Sequence, residues 1–70
     1  MNKLILSSEI YQLPYIEYAI KQFNQLCEIK VERKREAFVC TFFHCKYDVV
    51  ETIREFENYL IDLINSRMEI

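Results

Sequence analysis

The sequence predicts a small α+β domain of order β-α-β-β-α, in which a three-stranded sheet carries two helices on one face. Two observations carry this prediction. From Val49 onward, Ile53, Phe56, Leu60, Leu63 and Ile64 recur at spacings of three and four, which places them on one side of a long C-terminal helix. Before it, Cys27 to Arg33 alternates apolar and charged residues, and Ala37 to Phe43 is rich in β-branched and aromatic residues, the pattern of an antiparallel hairpin.

The elements follow in order. Lys3 to Ser7 alternates between polar bounds and reads as a short strand with Leu4 and Leu6 on one face. Ser8 to Leu13 connects it to a helix opened by Pro14, whose missing N–H would be unpaired in a first turn anyway. This helix is expected over Pro14 to Leu26, with Ile16, Ala19, Ile20 and Phe23 as its buried stripe and Tyr15 and Tyr18 flanking it. In the hairpin, Lys34 and Arg35 at the tip would pair Arg33 with Glu36. Val31, Ile29 and Cys27 would then oppose Phe38, Cys40 and Phe42 on the core face, with Val39 and Phe43 on the other. His44 to Tyr47 leads into the long helix, Asp48 to Met68. Asp48 with Glu51 is a capping-box-like start, and Arg67 in the last turn suits the helix dipole.

That helix is too apolar for one core. Val50, Ile61 and Met68 lie roughly 100° beyond the main stripe, which a thin sheet would not cover, so a second copy or a partner helix is expected there. The chain as a whole, residues 1–70, reads as one domain without linker, repeat or low-complexity segment. A domain this small buries only about 60% of its unfolded surface, so a homodimer would add stability it otherwise lacks.

Composition excludes several function classes. There is no Gly, hence no P-loop and no dinucleotide fingerprint. A net charge of −2 gives no footprint for nucleic acid or an anionic membrane. The amino terminus lacks a signal peptide's apolar core and no run approaches a membrane span, so the expected location is cytoplasmic. In that compartment the three cysteines would be reduced thiols.

The metal-capable residues are Cys40, His44 and Cys45, with Cys27 nearby. Zinc needs about four converging N or S ligands, and a continuing strand would put Cys45 opposite Cys40 and His44. Buried, inert thiols are the simpler expectation, with no metal, no cofactor and no catalytic residue. A small thiol or metal protein using Cys40, His44 and Cys45 is the alternative, and a purely oligomerising domain a third reading. The basic run Lys30, Arg33, Lys34 and Arg35 is interleaved with Glu28, Glu32 and Glu36 and reads as a solvated hairpin tip.

Glu9-Ile10-Tyr11, the helix with Ala19 and Phe23, the hairpin opening near Ile29 to Glu32, and Phe56-Glu57-Asn58-Tyr59-Leu60-Ile61-Asp62 together give a pattern over nearly the whole chain. It resembles the HxsD family of the His-Xaa-Ser system and its HxsD-like relatives. That family closes on an approximate Phe-x-Asn-x-Leu-x-Asp pattern and an Arg-containing tail, and here Leu63 to Arg67 places the Arg differently. The resemblance implies a non-catalytic accessory protein that assists radical S-adenosylmethionine (SAM) maturases of ribosomally made peptides. The iron–sulfur cluster and S-adenosylmethionine would belong to the partner enzyme. By the helical wheel Asn58 and Asp62 fall on the polar side, about 180° and 220° from Val49, so core packing does not explain them. With Tyr59, a residue type enriched at interfaces, they are the candidates for contact with peptide or maturase.

Overall fold

In the computed structural model, which describes residues 2–66, the elements form in the expected order. They are β1 (Lys3–Ser7), α1 (Leu13–Gln22), β2 (Glu28–Lys34), β3 (Ala37–Phe43) and α2 (Val49–Asn65). Arg67 and Met68 lie outside the described residues. The strand order is β1-β3-β2 with both neighbouring pairs antiparallel. Thus β1 and β2 run parallel with β3 slotted between them, a split β-α-β arrangement joined through α1.

Alternation puts Leu6, Ile29, Phe38, Cys40 and Phe42 on the covered face of the sheet, all buried. Ile16, Ala19 and Phe23 from the α1 region and Phe56 and Leu60 from α2 complete the same cluster. Phe56, fully buried, meets Phe42 edge-on at 5.4 Å between ring centres and Phe23 at 5.3 Å. One ring therefore joins both helices to the central strand, in the T-shaped geometry that aromatic quadrupoles favour.

The start of α2 is as expected: the Asp48 carboxylate accepts the Glu51 N–H at 3.0 Å. Arg54 then donates to Glu51 at 2.8 Å. The buried stripe centres on Phe56 and includes Thr52, whose hydroxyl donates to the Asp48 carbonyl at 2.9 Å, while Ile53 is only half-buried. A threonine can occupy a core position here because its one donor is satisfied within the helix.

Two details differ from the sequence reading. Helix α1 ends at Gln22 rather than Leu26: the N–H groups of Leu26 and Cys27 close a turn on the Phe23 carbonyl at 2.9 and 3.0 Å. Phe23 is held in the core, and Asn24, a poor helix continuer, lets the chain reverse into β2. The hairpin register also moves by two residues. Arg35 and Glu36 form the tip, Lys34 pairs with Ala37, Val31 with Cys40 and Ile29 with Phe42. Arg35 takes a left-handed backbone (φ 55°), and its carbonyl accepts from Arg33 Nε at 2.8 Å, while the Arg33 guanidinium lies 5.2 Å from the Phe38 ring centre. Side chains repeat every two residues along a strand, so this shift leaves the core face unchanged.

Replacing Phe56 with Ala should remove about 3–5 kcal/mol, comparable to the whole stability of a domain this size. Urea titration followed by circular dichroism should find the variant largely unfolded at room temperature. The exposed control Glu55→Ala should stay within about 0.5 kcal/mol of the parent.

Candidate partner-binding surface

Helix α2 has two flanks beside its buried stripe, and they differ in chemistry. Counting 100° per residue from Phe56, Tyr59 lies about 60° to one side, with Asp62 and Asn58 farther round the same way at about 120° and 160°. The Tyr59 ring packs edge-on to Phe23 at 5.8 Å, so this flank faces the α1 side of the molecule. Asn58 and Asp62 are exposed and Tyr59 is half-buried, which matches their expected places off the core stripe.

Partial burial, followed by the neighbouring Tyr18 phenol, raises the Tyr59 hydroxyl above the ordinary tyrosine range. It therefore stays a neutral donor and acceptor at physiological pH. Tyr18 in turn lines a shallow groove of about 410 Å³ along α1, with Pro14, Glu17 and Lys21. The fold thus brings Tyr18 beside the sequence-predicted Tyr59, an association that periodicity within one helix does not reveal. The groove's lining, Pro14, Glu17, Tyr18 and Lys21, recurs at spacings of three and four along one face of α1, and that spacing was the signal available in the sequence.

The opposite flank carries Val50 and Ile61, 51% and 38% exposed, about 120° and 140° from Phe56. These two members of the expected dimer stripe are on the surface; Met68 lies outside the described residues.

The cysteines are arranged otherwise than expected. Cys27 and Cys45 form a disulfide, with Cα atoms 4.2 Å apart, in place of two of the three reduced thiols. The reduced thiols were expected from the cytoplasmic reading, and the divergence of Cys45 from Cys40 and His44 from a β3 that continues through Cys45. Instead it stops at Phe43, His44 adopts a left-handed backbone (φ 53°), and the chain swings Cys45 across the open end of the hairpin toward Cys27. The Lys46 N–H donating to the Leu26 carbonyl at 2.8 Å fastens the same crossing. Cys40 lies in the core on β3, and burial pushes its thiol up to about 11. His44 is exposed with its ring 6.5 Å from that of Phe43. Cys40, His44 and Cys45 are therefore not assembled into one site, and no group of three or more metal-capable side chains occurs among the described residues.

The basic run is solvated, as expected. Lys30 reaches Glu28 at 3.8 Å and Lys34 reaches Glu32 at 4.0 Å, exposed pairs that contribute little. Among the described residues no helix is long and apolar enough to cross a membrane. Comparison of the chain with protein-family models, curated proteins and solved structures finds no match in any of the three.

Thiol titration checks this arrangement. Native protein prepared without reductant should release no colour with Ellman's reagent, and one equivalent per chain should appear on unfolding in guanidinium, from Cys40. Three equivalents after unfolding would show the bridge to be absent.

Proposed function

We propose that this chain is a non-catalytic binding module that assists radical SAM-dependent maturation of a ribosomally made peptide, by holding the peptide or the maturase. It works in the cytoplasm as a homodimer. The observation that carries this reading is Tyr59 beside Tyr18 at the junction of the two helices, with Asp62 and Asn58 farther round the same flank of α2. Asn58 and Asp62 stand exposed, where the core does not need them. Phenols, an amide and a carboxylate on a fixed helical scaffold form a recognition surface with little ordering cost on binding. Such a surface suits a segment that presents N–H donors or basic side chains. The resemblance to the HxsD family supplies the biological setting, with cluster and S-adenosylmethionine on the partner enzyme. The Val50 and Ile61 flank is left for the second copy.

A second reading, that of a thiol protein, draws on the half-exposed Cys45 in its bridge to Cys27. The sulfur chemistry would then lie at the hairpin mouth.

Fluorescence anisotropy with labelled precursor peptide, and calorimetry with the purified maturase, separate the two. Asn58→Ala with Asp62→Ala should weaken binding of one of these partners by at least roughly tenfold, and Tyr59→Ala by a similar factor. The double serine variant at Cys27 and Cys45 should bind as the parent does. Unchanged binding in the α2 variants, or loss only in the serine variant, would overturn the leading reading.

A further inference from the structure

The two edges of the sheet are not alike. On its outer face β2 carries Glu28, Lys30, Glu32 and Lys34, charges of the kind that protect an edge from further pairing, and α1 packs against it. The other edge, β1, has Leu4, Ile5 and Leu6 in its middle, and Ile5 is 70% exposed.

The backbone bonds show what that edge offers. The Asn2 carbonyl accepts the Phe42 N–H, and the Ser8 N–H donates to the Glu36 carbonyl, both at 2.8 Å. Hydrogen-bonded pairs recur every second residue in an antiparallel ladder, so Leu4 and Leu6 bond to β3 while Lys3, Ile5 and Ser7 turn their N–H and C=O groups outward. The Ser7 carbonyl is taken by the Ile10 and Tyr11 N–H groups at 3.2 and 2.9 Å. Lys3 and Ile5 thus offer a donor and an acceptor each, and Ser7 a donor.

We propose that β1 pairs antiparallel with β1 of a second copy about a two-fold axis at Ile5, making one six-stranded sheet. This rests on the homodimeric part of the reading above and names its seam. In this register each Ile5 N–H donates to the Ile5 carbonyl of the other copy, and each Ser7 N–H donates to the other copy's Lys3 carbonyl. Both outward acceptors of each strand are then filled. Lys3 faces Ser7, so no like charges meet, and Leu4 faces Leu6 beneath the helices.

The helix layer carries a surface on the same side that can match itself. Because α1 sits on β2 and the Tyr59 flank of α2 faces α1, the other flank of α2 lies on the β1 side. That flank carries Val50, Arg54, Glu57 and Ile61, all about 100° to 160° from Phe56. Two copies laid antiparallel bring Val50 against Ile61 and Arg54 against Glu57, an apolar and charge match of the flank with itself. A two-fold interface requires such self-complementarity.

Light scattering in line with size exclusion should give the wild type about twice the 8.6 kDa chain mass. Ile5→Lys, which opposes two like charges at the axis, should weaken dimerisation by roughly 100-fold. Ile5→Pro removes only an outward donor and should do the same with unchanged circular dichroism. In the wild-type dimer the Ile5 and Ser7 amides should exchange with deuterium slowly. A wild-type monomer would overturn both the homodimer and its seam. A dimer that both Ile5 variants leave intact, or whose Ile5 and Ser7 amides exchange fast, would overturn the seam alone, whether or not Ile61→Glu dissociates it.

Discussion

The rest of the structure depends on the edge-on packing of Phe56 between Phe42 of the central strand and Phe23 at the end of α1. Among the described residues no backbone hydrogen bond joins either helix to a strand, so the layers pack through side chains, and this aromatic junction is where all three parts meet. It also sets the rotation of α2. With Phe56 pointing straight into the core, Tyr59 must face α1 and Ile61 must face away. The rotational setting of one buried ring thus decides which residues of α2 stand at the surface.

The molecule is only 15 Å across its shortest extent, one sheet and one layer of helices. A two-layer domain leaves half of its sheet surface and both flanks of its outer elements uncovered, which is why apolar residues such as Ile5, Phe43, Val50 and Ile61 remain exposed. These exposures differ in meaning. Phe43 on the open face has the Lys30 ammonium 5.8 Å from its ring centre, while Ile5 and the Val50 flank lie toward the one sheet edge that carries little charge. The exposed polar residues Asn58 and Asp62 lie on the α1 side of α2 and the exposed apolar Val50 and Ile61 on its other flank, so the two sets do not share surface.

The hairpin mouth is a separate fastening. The Cys27–Cys45 bridge lies where β2 and β3 part, and the left-handed His44 makes the crossing possible. Closing a loop of this length contributes on the order of 3 kcal/mol in the chain-entropy view. In a reducing compartment that contribution is lost, and the β2–β3 ladder with the Lys46 to Leu26 hydrogen bond keeps the crossing.

The α+β class, the order of elements, the bounds of β1 and β3, the Asp48 cap and, in the buried stripe of α2, Phe56, Leu60 and Leu63 but not Thr52 were legible in the residues, because periodicity, capping and alternation are local and each acts within a few positions. The off-core placement of Asn58, Asp62, Val50 and Ile61 was legible for the same reason. The hairpin register was not, since Arg35 and Glu36 form a turn that neither residue type announces and a two-residue slip costs nothing in face alternation. The cysteine pairing was not legible because the odd count and the expected cytoplasmic setting argued for reduced thiols, and because a left-handed His44 turns Cys45 toward Cys27. What the sequence by itself determined is which faces are apolar. Only the tertiary structure decided that β3 takes the centre, that Tyr59 meets the α1 side, and that β1 is left as the open edge, because each of these is a contact between residues far apart in the chain.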